Sequence, residues 1–475
     1  MRPELGGDDA VMRIVFTASE VVPFAKTGGL ADVCGSLPLE LEALGHELVI
    51  IMPEYKSAGK RASFNDKASM EIIGKGVKVY FIKNKPFFSR PFLYGDSVSD
   101  YPDNLDRFSF FCREALQLLK DIGKPVDIIH CHDWQTGLIP VLLKDAYLKD
   151  PFFSRTRTVF TIHNLAYQGL FAKEEYSKLG VDVKFFNNNQ LEFYEKINLM
   201  KAGIVFSDYV TTVSPQYAKE IQTKEWGCGL DGVLQDRHGK LAGILNGLDY
   251  VAWDPEHDPH VDPPYSQQDQ LAKKIQKEKL QKVFGLPVMS DIPVFGFVGR
   301  LCYQKGFDLI ESAIDEIMHH PVQLVFLGIG EEKYQKLLKK LSRKFPRQFS
   351  AQIKYDEDVS HWVYAGSDFF LMPSIYEPCG LTQMIALRYG TIPIVAAVGG
   401  LLDTVADFSS GRKKGNGFVM SSYSVSGLLE VVERAAGAYH QKDSFAALVA
   451  HAMANRFTWQ ASAKHYVEVY EECQS

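Results

Sequence analysis

Short apolar runs of strand length alternate with helix-length amphipathic segments along this chain, and this alternation constrains the fold more than any other feature. The predicted strands of the first half cover 13–19, 47–52, 76–83, 126–130, 158–162, 208–213 and 241–245. Those of the second half cover 294–298, 323–327, 352–355, 369–372, 393–396 and 417–420. Strands that alternate with helices form parallel sheets with helices on both faces. The chain is therefore predicted to be an α/β protein of two Rossmann-like, doubly wound domains, with an active-site cleft between their strand carboxyl ends.

The length sets the expected number of domains, and local composition sets their predicted limits. A chain of 475 residues is too long for one hydrophobic core, so two domains are expected. Residues 254–269 are rich in Pro, Asp and His and are predicted to form the interdomain linker. The first domain is accordingly expected over 12–253 and the second over 254–456, followed by a C-terminal helix within 457–475. Residues 1–11 are polar and acidic, unlike a signal peptide, and are predicted to be a disordered extension.

The charge and the cysteines argue against several classes of protein. The formal net charge of −6 argues against a general nucleic-acid or anionic-membrane binder, and no apolar run approaches the ~18 residues that cross a bilayer. The seven cysteines include no C-x-x-C pair, which favours a reduced, cytoplasmic protein without structural zinc. His130, Cys131, His132 and Asp133 are consecutive. A strand end directs alternate side chains to opposite faces, so no metal centre is expected there.

Two segments of the second half combine positive charge with a carboxylate. Arg300 and Lys305 follow the predicted strand 294–298, and Glu377 follows another apolar run, just before a helix predicted to begin at Gly380. Open α/β sheets bind ligands at the loops that leave their strands. Two cations, a carboxylate and the positive end of a helix would suit a diphosphate leaving group that is attached to a sugar.

Polar residues also follow predicted strands of the first half. Lys26 and the pair Gly28-Gly29 lie between the first strand and a helix, where glycines let backbone N–H groups approach a phosphate. A tight turn would explain the same glycines without any ligand. Asp133 and His163 each lie just past a strand. Because successive parallel strands end at one edge of a sheet, we expect a lined ligand site at that edge.

Two other motifs of the second half resemble ligand-binding motifs. Gly328 and Gly330 follow a strand, but the third glycine position of a dinucleotide fingerprint is Lys333, which disfavours a hydride-transfer enzyme. Asp356 and Asp358 could clamp a metal for a sugar nucleotide. They also begin a predicted helix, where acidic side chains oppose the helix dipole, and this capping interpretation is favoured.

Several long motifs together resemble one family. They are Lys26 to Asp32, His163-Asn164, Ile244 to Asp249, Gly299 to Leu301 with Gln304 to Gly306, Glu377 to Gln383, and Gly399 to Leu401. In this order they resemble the bacterial glycogen synthase and plant starch synthase family, glycosyltransferase family 5, over nearly the whole chain. The resemblance implies a GT-B fold whose last helix returns to the first domain. It also implies transfer of glucose from ADP-glucose to the non-reducing end of an α-1,4-glucan, with retention and without a metal or other cofactor.

The resemblance also assigns roles to individual residues. Those implied to be catalytic, around the glucose and the leaving phosphate, are Asp133, His163, Asn246, Arg300, Lys305 and Glu377. Those implied to bind the nucleotide sugar are Lys26, Gly28, Gly29, Asp32, Gln304, Tyr355, Cys379, Gly380, Leu381 and Thr382. Within this second group, Tyr355 would stack on the adenine and Asp32 would lie beside the glucose. The first domain would serve the acceptor, and the second would bind the nucleotide sugar.

A same-face mechanism is favoured, in which the leaving phosphate accepts the proton of the acceptor hydroxyl. No carboxylate is evident to attack the anomeric carbon from the opposite face. The chain departs from related retaining enzymes at Ile385, where many carry a second glutamate, and at 396–398, which is apolar. An inactive sugar sensor, a phosphorylase and use of UDP-glucose stay open as alternatives. The acceptor chain length, remote glucan sites and self-association are not predicted.

Overall fold

The computed structural model describes residues 11–56, 61–96, 99–408 and 415–475. The predicted extension over 1–11 lies outside these residues except for Val11. Two compact units make up the chain: Met1–Gly247 with Trp459–Ser475, called the first unit, and Leu248–Thr458, called the second unit. The division thus follows Gly247, earlier than the break placed after residue 253.

The first unit contains most of the strands. They are β1 (Arg13–Thr17), β2 (Glu47–Pro53), β3 (Ala62–Ser63), β4 (Ala68–Ile73), β5 (Val77–Ile82), β6 (Ile128–His132), β7 (Arg157–Ile162), β8 (Leu170–Ala172), β9 (Glu192–Phe193), β10 (Lys196–Asn198), β11 (Tyr209–Thr212) and β12 (Leu241–Gly243). Its helices before the second unit are α1 (Gly29–Ala43), α2 (Lys85–Phe88), α3 (Asn104–Ile122), α4 (Leu138–Lys144), α5 (Leu199–Phe206), α6 (Pro215–Glu220) and α7 (Asp231–Asp236). Short 3₁₀ turns cover Trp134–Thr136, Pro151–Phe153, Lys173–Leu179, Val183–Phe185 and His238–Lys240.

Nine strands form one sheet in the order β12-β11-β7-β6-β1-β2-β5-β4-β3. The strands from β12 to β5 pair in parallel, while β4 and β3 pair antiparallel at the edge. Every residue of β1 is buried, as expected for a central strand covered on both faces. The edge hairpin of β3 and β4 was not predicted, because its two strands mix buried and exposed side chains and lack the long apolar run that marks a central strand.

The first helix of the second unit is α8 (Leu271–Val283). The unit has a six-stranded parallel sheet in the order β15-β14-β13-β16-β17-β18. Its strands are β13 (Val294–Val298), β14 (Gln323–Leu327), β15 (Phe349–Gln352), β16 (Phe369–Met372), β17 (Ile392–Val395) and β18 (Phe418–Val419). Its other helices are α9 (Phe307–Ile317), α10 (Glu332–Lys344), α11 (Glu357–Gly366), α12 (Thr382–Arg388), α13 (Gly399–Thr404), α14 (Val425–His440) and α15 (Lys442–Ala454), with a 3₁₀ turn at Tyr303–Lys305.

One predicted strand of the second unit was wrong. The strand expected over 352–355 is β15, which ends at Gln352, where the prediction began. Phe349 sets this position, because its ring stacks on Phe326 of β14 at a centroid distance of 5.1 Å. Tyr355 lies beyond the strand with 82% of its surface exposed.

The predicted linker over 254–269 was also wrong, because this segment is packed into the second unit. The carboxylate of Asp254 pairs with the buried Arg388. The buried carboxylate of Asp258 accepts hydrogen bonds from Tyr389 Oη and, at 2.6 Å, from His361 Nδ1. Two acidic side chains of the predicted linker, Asp254 and Asp258, therefore have buried partners.

The chain ends in α16 (Trp459–Gln474), which belongs to the first unit. Its Tyr470 hydroxyl lies 2.8 Å from Nδ1 of His130 in β6, and its Ser462 hydroxyl donates to the Leu245 carbonyl at 2.6 Å. A side chain at Gly247 would collide with Trp459, so glycine allows this close approach. No helix in the described part of the chain combines the length and apolar character that a membrane crossing requires.

Candidate active site

The loop between β1 and α1 holds the first group of predicted ligand residues. Lys26 Nζ lies 2.6 Å from Asp32 Oδ1, and Asp32 lies in the first turn of α1. The buried Glu20 fixes this loop. Its carboxylate accepts hydrogen bonds from the Thr27 hydroxyl at 2.6 Å and from the Gly28 N–H at 3.2 Å. The loop is therefore fixed by a carboxylate that the sequence analysis did not single out.

Gly28 and Gly29 face open space in this loop. A Cβ atom added at either position would meet no heavy atom within 4 Å. Gly28 has φ of −158°, an extended conformation that any residue can adopt. Neither packing nor backbone conformation thus requires glycine here. Close approach of a ligand to the backbone would require it, which favours the ligand interpretation over the tight turn.

Asp133 and His163 meet at the ends of the neighbouring strands β6 and β7. The backbone N–H of His163 donates to Asp133 Oδ1 at 2.7 Å. Asp133 has φ of 54° and ψ of −177°, a conformation that ordinarily only glycine adopts and that costs about 1–3 kcal/mol. Burial raises the pKa of the Asp133 carboxyl to about 8. Strain and a shifted pKa at a strand end are both typical of a functional site.

Two histidines occupy the same edge and are both neutral. The Nδ1 atom of His132 lies 3.0 Å from the Nε2 atom of His163. Burial lowers the pKa of His163 to about 3 and holds the pKa of His132 well below its ordinary value. The group of potential metal ligands in the described residues, Asp258, His260 and His361, does not include residues 130–133. This edge therefore offers hydrogen bonds rather than charge.

Asn246 lies just past β12 and is 4% exposed. Its Oδ1 atom is buried and has no hydrogen-bond partner among the described residues. A buried amide oxygen without a partner is costly, at about 1–3 kcal/mol, unless a ligand hydroxyl or a water satisfies it. Asn246 is therefore suited to accept a hydrogen bond from a polar ligand.

The second unit brings Lys305 and Glu377 together. Lys305 ends the 3₁₀ turn after β13, and its Nζ atom lies 2.5 Å from Glu377 Oε2. Both side chains are largely buried, with 18% and 10% of their surface exposed. The Ser374 hydroxyl donates to the same Glu377 oxygen at 3.1 Å. The cation and the carboxylate that the sequence placed in one site are thus in direct contact.

Glycines allow the loops around this ion pair to approach each other. Gly306 has φ of +75°, and a Cβ there would lie 1.8 Å from the Pro373 carbonyl oxygen. Gly399 has φ of +45°, and a Cβ there would lie 2.0 Å from the Glu377 carbonyl oxygen. Side chains at these positions would push the Lys305 and Glu377 loops apart, so both glycines serve the position of the ion pair.

The other predicted site residues of the second unit, apart from Arg300 and Tyr355, lie within a few residues of Lys305 or Glu377 in the sequence. Gln304 donates from Nε2 to the Tyr376 carbonyl at 3.1 Å. Cys379 is buried, and its carbonyl accepts a hydrogen bond from Gln383. The helix predicted to begin at Gly380 begins at Thr382, because Gly380 has φ of +73° and cannot continue a right-handed helix. Leu381 occupies the position before the helix, and the Thr382 hydroxyl contacts Met372 Sδ at 3.3 Å.

Arg300 and Tyr355 are both exposed. Arg300 lies on the same loop as Lys305, between β13 and the 3₁₀ turn. Tyr355 lies between β15 and α11. Exposed side chains that follow strand carboxyl ends are accessible to a ligand.

The Asp356-x-Asp358 motif begins α11, in line with the capping interpretation. The Asp356 side chain accepts the Val359 N–H at 3.1 Å. A different group, Asp258, His260 and His361, has potential ligand atoms within 4.8 Å of one another. The carboxylate of Asp258 is already shared by His361 and Tyr389. Hydrogen bonds account for this group without a metal.

Three contributors to the site were not predicted from the sequence. Glu20 holds the glycine loop, His132 contacts His163, and Ser374 contacts Glu377. Each lies within a few residues of a predicted site residue or of a strand end. An acidic residue directly after a buried strand, as at Glu20, was the available signal, because a carboxylate there needs a hydrogen-bond partner.

Two family models match the chain. The model described as the starch synthase catalytic domain matches residues 13–236, and the model described as glycosyl transferases group 1 matches residues 264–442. The chain is 47% identical to a glycogen synthase of Geotalea uraniireducens, over 97% of this chain and 98% of that protein. It is 43% identical to a glycogen synthase of Syntrophotalea carbinolica, over 97% of this chain and 99% of that protein.

Solved structures give the same result. The catalytic domain of starch synthase IV from Arabidopsis thaliana, bound to ADP and acarbose, matches with a TM-score of 0.88 and 36% identity. The match covers 98% of this chain and all of that one. A sucrose-phosphate synthase from Thermosynechococcus elongatus matches with a TM-score of 0.63 and 16% identity, which shows a shared fold alone.

Proposed function

Because this chain belongs to the family of glycogen synthases and starch synthases, we infer that it is a glucosyltransferase that uses ADP-glucose as donor. It has the two-domain GT-B fold, and it transfers glucose with retention to the non-reducing end of an α-1,4-glucan. The similarity to glycogen synthases over almost the full chain carries this conclusion. The two units contribute different residues to the reaction.

The second unit holds the diphosphate. Arg300 and Lys305 supply positive charge to the phosphate oxygens, with Thr382 assisting from the start of α12. The contact of Lys305 with Glu377 supports this role, because it fixes the ammonium group before the substrate arrives. Tyr355 provides an exposed ring on which the adenine stacks. The loops that carry Lys305 and Glu377 also contain Gln304, Cys379, Gly380 and Leu381, which maintain the conformation of these loops.

The first unit binds the sugar. Neutral His163, mostly protonated Asp133 and the unpartnered Asn246 oxygen offer hydrogen bonds to uncharged hydroxyl groups. Lys26 and the open backbone at Gly28 and Gly29 meet the nucleotide side of the same substrate. Such a division places charge at the phosphates and hydrogen bonds at the sugar.

The transfer follows a same-face mechanism. The acceptor hydroxyl oxygen forms a bond to the anomeric carbon while the bond from that carbon to the ADP oxygen breaks. The proton of the hydroxyl passes to the departing phosphate oxygen, so no separate base is required. Arg300 and Lys305 stabilise the departing ADP, and Glu377 orients the sugar and offsets positive charge at the anomeric carbon. Trapping of a covalent glucosyl–enzyme intermediate would contradict this mechanism.

Protein cations take the place of a divalent ion in this proposal. Asp356, the first residue of the possible metal motif, caps α11 instead, which supports a donor site without a metal. No cysteine in the described residues forms a disulfide, which fits a reducing, cytoplasmic location.

A direct assay tests the proposed function. The purified chain is given glycogen with radiolabelled ADP-glucose or UDP-glucose in parallel reactions, each with and without EDTA. We expect incorporation mainly from ADP-glucose and no loss with EDTA. Incorporation that requires a divalent ion would contradict the metal-independent mechanism. Binding of ADP-glucose without any transfer would identify a sugar sensor instead.

A further inference from the structure

His132 is a buried histidine at the carboxyl end of β6, and its contacts are asymmetric. Its Nδ1 atom faces Nε2 of His163 at 3.0 Å, and the two ring centroids lie 5.2 Å apart. Its Nε2 atom is buried and has no hydrogen-bond partner among the described residues. The Phe16 ring stacks on the imidazole at a centroid distance of 5.1 Å and keeps it in place.

Both imidazoles of this pair are neutral, so each carries a single proton. Burial is the first cause, since an imidazolium ion without a paired anion is costly in a low-dielectric interior. His130 approaches the same ring at a centroid distance of 4.2 Å and also has a lowered pKa. A neutral pair that shares one hydrogen bond has two possible proton arrangements.

The unpartnered Nε2 atom of His132 separates these two arrangements. If His163 Nε2–H donated to His132, the proton of His132 would be on Nε2, a buried donor without an acceptor. If His132 Nδ1–H donates to His163, the unpartnered Nε2 is only an acceptor. Buried unpaired N–H groups are rarer than unpaired acceptors. The second arrangement is therefore favoured.

The second arrangement decides which nitrogen of His163 presents a proton. When Nε2 of His163 accepts from His132, its own proton is on Nδ1. No hydrogen bond joins this Nδ1 to another described residue, and His163 keeps 9% of its surface exposed. Nδ1–H is then available as a donor to a ligand at the strand carboxyl ends.

We propose that His132 is a positioning residue that fixes the tautomer of His163, so that the Nδ1–H of His163 donates to the bound sugar. The donation to sugar rests on the proposed function, whereas the tautomer is a property of the free protein. His132 itself does not touch the substrate in this proposal. It acts by keeping one nitrogen of His163 protonated and the ring in one orientation.

The first test needs no variant of His132. The protein is labelled with ¹⁵N-histidine, and long-range ¹H–¹⁵N correlation shows which ring nitrogen of each histidine carries the proton. The signals of His163 are assigned by their absence in His163→Gln. We expect His163 as the Nδ1–H tautomer and His132 as the Nδ1–H tautomer. An Nε2–H tautomer of His163 in the unaltered protein would overturn the proposal.

The second test compares two substitutions of His132. In His132→Asn the amide N–H can take the place of Nδ1–H, whereas His132→Leu keeps the volume and loses the donor. We expect His132→Leu to give mixed tautomers of His163 and a turnover about 10- to 100-fold lower. The KM for ADP-glucose should change less than threefold, since the charged groups of the second unit are untouched. His132→Asn should restore the single tautomer and most of the turnover.

His130→Leu serves as the matched control, because His130 is equally buried in the same strand but makes no hydrogen bond to His163. It should lower the unfolding temperature and leave the His163 tautomer unchanged. A loss of turnover in His132→Leu without any change in the His163 tautomer would overturn the positioning role. Absence of ADP-glucose turnover in the unaltered protein would instead contradict the proposed function, and the tautomer result would be unaffected.

Discussion

The two units present opposite chemistry at the carboxyl ends of their strands. We call Asp133, His132, His163 and Asn246 of the first unit the neutral edge, and Arg300, Lys305 and Glu377 of the second unit the charged edge. On the neutral edge, burial raises the pKa of Asp133 and lowers the pKa of both histidines. On the charged edge, Lys305 and Glu377 are also largely buried, but they lie 2.5 Å apart.

The difference shows that burial alone does not decide whether a site carries charge. An isolated buried ion loses several kcal/mol of solvation and therefore shifts its pKa towards the neutral form. A close partner of opposite sign offsets part of that loss by its attraction. No cation in the described part of the chain is in close contact with Asp133, whereas Glu377 contacts Lys305. One edge thus suits uncharged hydroxyls, and the other suits a phosphate anion.

The largest expected effect comes from removing charge from the charged edge. Lys305→Ala should lower kcat by about 10²–10³, the usual loss for one electrostatic stabiliser of a departing group. The protein should stay folded but lose stability, because Glu377 is then a largely buried carboxylate with only the Ser374 hydroxyl as a described partner. Steady-state kinetics with ADP-glucose and a thermal unfolding curve measure both quantities.

Lys336→Ala is the control for this substitution. Lys336 lies on α10 in the same unit, with 71% of its side-chain surface exposed, and pairs only with Glu332 at the surface. Its removal should leave kcat unchanged. Unaltered turnover in Lys305→Ala would contradict the proposed role of Lys305 in stabilising the departing ADP.

Asp133→Asn tests the neutral edge by its pH dependence. The ordinary pKa of 3.8 is raised to about 8 in the folded protein, so the folded state binds more protons than the unfolded state between these values. The stability that this group provides is therefore complete below about pH 4 and is lost as the pH rises through about 8. The asparagine variant lacks this loss.

Unfolding temperatures of both proteins from pH 5 to pH 9 measure the effect. The difference, variant minus unaltered protein, should become more positive as the pH rises and then level off above about 8. Turnover should change by less than about tenfold, because the amide keeps both the donor and the acceptor of a protonated carboxyl group. A difference that is constant with pH would mean that Asp133 is ionised in the folded protein.

A smaller effect is expected at the glycine loop, with opposite signs for stability and binding. Gly29→Ala should stabilise α1 by about 0.5–1 kcal/mol, since alanine is the better helix former and its Cβ meets no atom. The KM for ADP-glucose should rise severalfold, because the methyl group occupies the space for the substrate.

Gly232→Ala in α7 is the matched control, since its Cβ also meets no atom within 4 Å. It should give a similar gain in stability without any change in KM. If both variants had the same KM, Gly29 would be part of a turn and would not face the nucleotide.

The smallest expected effect is that His163 contributes nothing to the pH dependence of kcat. Burial lowers the pKa of His163 to about 3, so its protonation should not affect activity between pH 5 and pH 8. We expect that any acidic limb of kcat against pH in this range is the same in His163→Gln, at lower turnover. A limb that disappears in this variant would show that His163 becomes charged during catalysis.

The strands that carry the site were largely predictable, because their apolar runs are continuous. β13 and β16 were predicted with the observed limits. β15 was misplaced because Tyr355, an aromatic residue typical of strands, lies outside the sheet in an exposed loop. The position of Phe349 depends on stacking with Phe326, which is distant in sequence and leaves no local signal.

Contacts between residues that are distant in sequence account for the other features that were not predicted. Asp254 and Asp258 resemble linker residues locally, and only their contacts with Arg388 and Tyr389 show that they are buried. The contact between His132 and His163 depends on the register of β6 against β7. Hydrophobic periodicity in the sequence does not predict that register. The charges of Lys305 and Glu377 were evident in sequence, whereas their direct contact was not.

The affinity for ADP tests the division of the two edges most directly. ADP carries the diphosphate but no glucose, so isothermal titration calorimetry with Lys305→Ala and Asp133→Asn separates the two contributions. We predict that Lys305→Ala raises the Kd for ADP about tenfold or more, while Asp133→Asn leaves it within twofold of the unaltered protein. Equal losses of ADP affinity in the two variants, or a loss in Asp133→Asn alone, would contradict the account.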